Sequence, residues 1–298
     1  MRAFEDMGND LSFSGGVSIV HKFFAATCVA ILLMAGTLPV RAQTTDPDEL
    51  TDTLERSKAR GKLIACADPY SFPSSAQSEP PGFDVEIMRE IAKLGGMRLF
   101  MEWADTGTRG GTSRAFRNSI LRKRCDVFVG LSDSGDDDML MGQLEFTKPY
   151  LGVGYVLVVQ GKAADKKSLA ELKAANIKVG VPMSTPIDDY LFTNDIPRSL
   201  YLDNRRIMQG MAKGEVDASL VWGTAVSVAR KEFPDAKFHM VEGYVPEADQ
   251  RWNLNFVVRK QDKALKQFID DGIAELLSNG KIKQIVESYD VPFYPPFS

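Results

Sequence analysis

From Gly61 onward, apolar and polar positions switch between two periods. "KLIACADP" is a short apolar run that stops at Asp68-Pro69, and "GFDVEIMREIAKLGG" spaces its apolar side chains three and four apart before closing on a glycine pair. The first pattern predicts a strand and the second an amphipathic helix. "MRLFMEW" predicts a second strand, residues 112–122 a helix, and "CDVFVGL" a third strand leading into the polar loop "SDSGDDD". Strands that alternate with helices predict an α/β fold, with a largely parallel sheet covered by helices on both faces.

The second half repeats the alternation after an extended segment, Tyr155 to Gln160. Leu169 to Lys173 reads as a short helical turn and Ile177 to Val181 as a strand. "RRIMQGMAKGEVDASLVWGTAVSVARKEF" then supplies a helix, a glycine-centred turn, a strand from Val216 to Val221 and another helix. "RWNLNFVVRK" is a second extended crossing, followed by helices at Ala264 to Ser278 and Ile282 to Tyr289. Two crossings predict two lobes joined at a hinge around a central cleft. Lobe one comprises residues 61–153 plus 257–298, and lobe two residues 154–256. A ligand that touches the closed arrangement more extensively than the open one favours closure.

The segment ahead of Gly61 has a different logic. "HKFFAATCVAILLMAGTLPVRAQ" places His21 and Lys22 before an apolar stretch from Phe23 to Leu38, then Val40-Arg41-Ala42 before Gln43. This is the order of a secretory signal, so residues 1–42 read as a signal peptide and residues 43–60 as a polar lead. The apolar stretch, which includes Gly36 and Thr37, is short for a membrane anchor. The acidic run before His21 suggests that translation starts later, near Val17. Export to the periplasm follows, with no membrane insertion after cleavage.

Composition then narrows the chemistry. Lys and Arg number 36 against 40 Asp and Glu, a net charge of -4, which gives no broad basic face for nucleic acid. The chain holds two His and three Cys. Signal cleavage removes His21 and Cys28, leaving His239, Cys66 and Cys125. His239, in "KFHMVEGY", reads as a partly exposed structural residue, so acid-base catalysis is poorly supplied and the chain reads as no enzyme. Two cysteines in an exported chain suggest one disulfide. Cys66 lies in the first strand and Cys125 begins the third, which are neighbours in a sheet ordered 2-1-3. Such a bridge would constrain the unfolded chain by roughly 4 kcal/mol. Two separate buried thiols and a metal pair remain as competing readings, although no third metal ligand is evident. There is no CxxC redox motif.

Open α/β sheets place ligands beyond the carboxyl ends of their strands. That rule selects Asp68, Tyr70 and Phe72 after the first strand, Trp103 and Asp105 after the second, and Ser132 and Asp133 after the third. Tyr150 stands just before the first crossing. Across the cleft, Ser184 and Thr185 follow one strand and Trp222 follows another. Aromatics at these places either enclose an apolar segment or pack into the cores. Asp133, Asp136, Asp137 and Asp138 invite a calcium or lanthanide reading, but they lack the full twelve-residue loop and its closing Glu, so a solvated or partner-contacting loop is preferred and no metal ligand is assigned. "GTRGGTSR" at 107–114 does not follow the phosphate-loop grammar and reads as a turn before a helix. The final "VPFYPPFS" reads as a tail packed across lobe one, with an aromatic docking strip as the alternative.

The segments "GFDVEIMREIAKLGG", "LEFTKPY", "LAELKAANIKVGVPMSTP", "GEVDA" and "IAELLSNGKIKQIVESYDVP" resemble the type II periplasmic solute-binding proteins. The likeness implies a two-lobed periplasmic binding protein fold over nearly the whole chain beyond Gly61. In the amino-acid-binding branch an Arg that grips the ligand carboxylate stands six positions before the "FS-P-Y" segment; here that place holds Leu140. Lys148 lies nearby, in a strand-end motif that faces solvent. The chain is more specifically similar to the J-type accessory proteins of methanol dehydrogenase systems, MxaJ and XoxJ, through Cys66-Ala67-Asp68-Pro69 with Phe72-Pro73, Cys125-Asp126, Val221-Trp222-Gly223 and Val291-Pro292. Tyr70-Ser71 and Gly223-Thr224 depart from that pattern, and the lanthanide-dependent XoxJ branch is weakly preferred. The resemblance implies an accessory protein that associates with a periplasmic PQQ-dependent methanol dehydrogenase, with its cytochrome c as a further partner, and assists its maturation or activation. PQQ and the lanthanide or calcium ion would then belong to the dehydrogenase, with no cofactor bound directly by this chain. The alternative is a substrate-binding protein of an ABC transporter that takes a small solute.

Overall fold

The computed structural model describes residues 52–133 and 142–298, which fall within one unit, residues 45–298. The signal segment, residues 43–51 of the polar lead, the acidic residues Asp136, Asp137 and Asp138, and Leu140 lie outside the described residues.

Helix α1 (Thr53–Ala59) starts where the Asp52 carboxylate accepts from the N–H of Glu55 at 3.0 Å. Strand β1 (Lys62–Ala67) leads to a small hairpin, β2 (Tyr70–Ser71) and β3 (Ser75–Ala76), and then to helix α2 (Phe83–Leu94). Strand β4 (Arg98–Trp103), helix α3 (Gly111–Asn118) and strand β5 (Val127–Ser132) complete the first α/β unit. The helix expected over residues 112–122 is divided: α3 stops at Asn118 and a separate 3-10 turn occupies Ile120–Arg122. Strands β6 (Leu144–Phe146) and β7 (Leu151–Val159) follow. The second unit holds α4 (Leu169–Ala174), β8 (Val179–Pro182), α5 (Pro186–Thr193), β9 (Arg198–Tyr201), α6 (Asn204–Ala212), β10 (Ala218–Trp222), α7 (Gly223–Glu232) and β11 (His239–Met240). Strand β12 (Arg251–Arg259) returns to the first unit, where α8 (Lys263–Ser278) and α9 (Lys281–Ser288) finish the chain's regular structure. Side-chain caps at Ser168, Thr185 and Asp203 start α4, α5 and α6.

The main sheet runs β4-β1-β5-β12-β7-β10-β8-β9. Strands β4, β1 and β5 are mutually parallel, in the order 2-1-3 expected from the sequence, and β10, β8 and β9 form a second parallel set. Between them stand β12 and β7, antiparallel to each other and to their outer neighbours. The expectation of a largely parallel sheet therefore needs correcting to two parallel sets joined through antiparallel crossings. Each crossing strand changes partner midway. Leu151 to Gly154 of β7 pair with β12, whereas Tyr155 to Val159 pair with β10. Arg251 to Leu254 of β12 pair with β7, and Leu254 to Val258 pair with β5. Leu254 and Asn255, assigned to lobe two from the sequence, thus already belong to the sheet of lobe one.

Both faces of each parallel set are covered, because strands buried on both sides need apolar partners on both. In lobe one, Phe83, Ile87, Met88 and Ile91 of α2 meet Ile269, Ile273 and Ile285 of α8 and α9 over one face. Phe116, Ile120, Phe128 and Leu144 fill the other, where the rings of Phe116 and Phe128 meet edge to face at 5.0 Å. Cys66 and Cys125 are fully buried in this second cluster and form a disulfide, with Cα atoms 5.7 Å apart. Beside them Arg259, 3% exposed, donates to the carbonyls of Ile120 at 3.0 Å and Cys125 at 2.7 Å and pairs with Asp262 at 2.7 Å. The closing tail does not simply cover lobe one. Tyr294 bridges to Gly152 on β7 and its hydroxyl donates to the Tyr244 carbonyl at 2.7 Å, while the Phe297 N–H donates to Asn253 on β12 at 2.7 Å.

The disulfide closes a separation of 59 residues. Replacing both cysteines by serine is expected to lower unfolding free energy by about 2–4 kcal/mol, because the unfolded chain regains loop freedom and two hydroxyls enter an apolar cluster. Urea titration of the oxidised protein and the double variant measures the difference.

Candidate functional site

The parallel strands of lobe one all end on the same side, and their carboxyl ends open onto a cleft of about 360 Å3. That size suits a small ligand. Asp68, directly after β1, contributes a carboxylate whose two oxygens are already engaged. Oδ1 accepts from the Tyr70 N–H at 2.7 Å, and Oδ2 accepts from the Thr106 N–H at 2.7 Å and from the Thr106 hydroxyl. Asp68 therefore ties the loop after β1 to the loop after β4. Ser75 adds a bond from its hydroxyl to the Asp68 carbonyl at 2.7 Å.

The rest of the lining comes from both lobes. Phe72, Ser132 and Gly130 face Trp222 and Thr224, which sit at the junction of β10 and α7. Trp222 stands 5.9 Å from Tyr155 and 5.3 Å from Trp252, centroid to centroid, so three aromatic rings cluster where the two lobes meet.

Of the residues selected from the sequence, Asp68, Phe72, Ser132 and Trp222 line this one cleft. The others lie elsewhere. Tyr70 is 80% exposed. Trp103 and Asp105 line a separate groove of about 150 Å3 with Glu102 and Arg124, on the side of α3. Asp133 accepts from the Asn253 N–H at 2.8 Å and its side-chain amide at 3.2 Å, and so fastens the end of β5 to the crossing strand. Ser184 and Thr185 belong to another surface depression with Phe192 and Arg198, where Thr185 caps α5. Tyr150 is wholly buried, stacked 4.3 Å from Phe256. Sequence reasoning missed Ser71, Ser74, Thr106, Thr112, Gly130 and Thr224. The strand-end rule extended by two or three residues reaches Thr106 and Thr224; Ser71 and Ser74 depend on the β2–β3 hairpin, which is too short to leave a periodic signal.

Behind the cleft wall lies a buried carboxyl that the pattern of the sequence concealed. Asp84, in the first turn of α2, accepts from the Tyr150 hydroxyl at 2.5 Å, and its other oxygen, Oδ2, has no hydrogen-bond partner. Burial pushes its pKa up from 3.8 to about 7, partly offset by the Tyr150 hydrogen bond. Burial and the neighbouring Asp84 charge push the Tyr150 phenol up as well. Gly130, which lines the cleft, adopts φ +78°, and a Cβ there would collide with Asp84 Oδ2. A hydrogen at that position lets β5 pass close over the carboxyl.

Lobe two also reaches lobe one through α7. Arg230 pairs with Asp290 at 2.7 Å, and the Lys231 ammonium stands 3.7 Å from the centroid of the Phe72 ring. Among the described residues no group of three or more His, Cys, Asp or Glu could hold a metal ion, and no helix is long and apolar enough to cross a membrane.

The profile of the bacterial extracellular solute-binding proteins, family 3, matches residues 63–291. The L-cystine-binding protein TcyJ of Escherichia coli K12 is 27% identical over 243 residues, which cover 79% of this chain and 85% of that protein. The L-glutamate/L-aspartate-binding protein of Pseudomonas aeruginosa is 22% identical over 93% of this chain and 90% of its own length. Among solved structures, the unliganded open L-cystine solute receptor of Neisseria gonorrhoeae superposes with a TM-score of 0.62 at 20% identity, covering 79% of this chain and 95% of that one. The fold is thus the two-lobed arrangement expected.

Asp84 gives the fold a measurable pH dependence. Its folded pKa lies above the unfolded value, so between pH 3.8 and about 7 the folded chain holds a proton that the unfolded chain has released. This contribution to stability is fully present below the unfolded pKa and is lost as pH rises through the folded one. Asp84→Asn, which keeps an acceptor for Tyr150, is expected to melt with a shallower pH dependence across that window. Melting temperatures of both proteins from pH 4 to pH 8 test the slope.

Proposed function

The chain belongs to the bacterial extracellular solute-binding proteins, family 3, and on that premise we propose that it is a non-catalytic periplasmic receptor that captures one small solute between its lobes. Delivery is to a membrane transporter that reads the closed state. The observation that carries this reading is the cleft itself, in which Asp68, Phe72 and Ser132 of lobe one face Trp222 and Thr224 of lobe two. A ligand that touches both sides bonds better to the closed arrangement than to the open one and so shifts the population toward it. The relatives named for L-cystine and for L-glutamate and L-aspartate support a receptor role.

A second reading rests on a specific cluster of residues. Cys66-Ala67-Asp68-Pro69, Cys125-Asp126 and Val221-Trp222-Gly223 resemble the J-type accessory proteins, and two of those segments bring Asp68 and Trp222 into the same cleft. Under that reading the cleft holds a segment of a PQQ-dependent dehydrogenase, and the chain assists its activation. The relatives favour the receptor.

Native mass spectrometry of the protein purified gently from its own periplasm separates the two. A single small-molecule adduct, lost in Trp222→Ala, is the outcome expected of the receptor. An adduct-free chain that copurifies with a dehydrogenase and raises its activity on reconstitution would replace the receptor reading with the accessory one. Closure also engages α7: the double variant Arg230→Ala, Lys231→Ala is expected to bind the captured solute roughly threefold to tenfold more weakly, since exposed ion pairs and cation–π contacts are individually modest. Isothermal titration gives the ratio, with melting temperature as the control for folding.

A further inference from the structure

The cleft has an unusual balance of polar groups. Among the described residues no Lys, Arg or His lines it, and its single ionisable side chain is Asp68. Lys231 stands on the Phe72 ring and lines the neighbouring cavity with Glu86 and Asp290. A ligand carboxylate or phosphate entering this cleft would lose water and face Asp68 with no side-chain cation to offset the cost.

Hydroxyl groups, by contrast, are plentiful. Thr106 and Ser75 are committed to Asp68, but the hydroxyls of Ser71, Ser74, Thr112, Ser132 and Thr224 line the cleft and have no hydrogen-bond partner among the described residues. Each can donate one hydrogen bond and accept others. Ser132 and Thr224 stand on opposite lobes, so a ligand with several hydroxyls can satisfy both sides at once. Trp222, half-buried on one wall, offers a flat apolar face to the carbon skeleton of such a molecule. An organic cation fits less well, because Asp68, the one carboxylate among the described lining residues, already receives three hydrogen bonds.

We infer that the solute of this cleft is a small uncharged polyhydroxylated compound, recognised by unpaired Ser and Thr hydroxyls and the Trp222 face, and not a free amino acid. The inference rests on the receptor reading above and deepens it.

The test is isothermal titration of the protein comprising residues 43–298 with three sets of probes: glycerol, ribose, glucose and myo-inositol; putrescine and ethanolamine; and L-cystine, L-glutamate and L-arginine. Saturable binding of at least one polyol and of no amino acid is the expected result. Thr224→Val, which keeps the shape and removes the hydroxyl, should weaken that binding about tenfold or more while leaving the melting temperature unchanged. Binding of an amino acid or an amine with no polyol binding would overturn the ligand class and leave the receptor reading standing. Silence from all three sets, in a protein that melts cooperatively, would overturn both.

Discussion

Four residues of antiparallel pairing hold this molecule together as one object. Arg251 to Leu254 run beside Leu151 to Gly154, and on either side of that overlap each strand turns to serve a different sheet. The overlap continues the hydrogen-bond ladder from one parallel set to the other, so neither lobe has to expose a long unpaired edge toward its neighbour. It also fixes where the cleft lies. Strands β1, β4 and β5 end on the side that faces the junction of β10 and α7, and the aromatic group of Tyr155, Trp222 and Trp252 fills the corner between them.

Two carboxyls stand on opposite sides of the cleft wall and have opposite fates. Asp68 is met by two N–H groups and a hydroxyl and acts as a fixed anchor between loops. Asp84 has one donor, Tyr150, and one oxygen with none, pressed against Gly130. An ionised Asp84 would be a buried charge that the Tyr150 hydroxyl offsets only in part, and its raised pKa expresses that cost. The wall of the cleft thus rests, through Gly130, on a titratable group that does not itself line the cleft.

Much of the scaffold was legible because it depends on periodicity. Apolar positions in "GFDVEIMREIAKLGG" place Phe83, Ile87, Met88 and Ile91 on one buried face, and the strand order 2-1-3 brings Cys66 beside Cys125. The antiparallel crossings were visible as extended segments, but their direction and their change of partner were not, since pairing is a property of distant residues. The site was legible in part for the same reason. Residues at or just beyond strand ends, Asp68, Ser132 and Trp222, reach the cleft, whereas Asp133, picked by the same rule, and Tyr150, picked as the residue before the first crossing, are drawn into hinge and buried contacts. Local spacing cannot show that Asp133 will find Asn253, which is 120 positions away.

The tail from Val291 to Ser298 touches β7 through Tyr294, β12 through Phe297 and lobe two through the Tyr244 carbonyl. It is a third strap, laid across the two crossing strands. A fluorophore or a circularly permuted reporter joined at this end would sit where the two parallel sets of strands meet. A label there would report a change in the angle between those two sets as an optical signal.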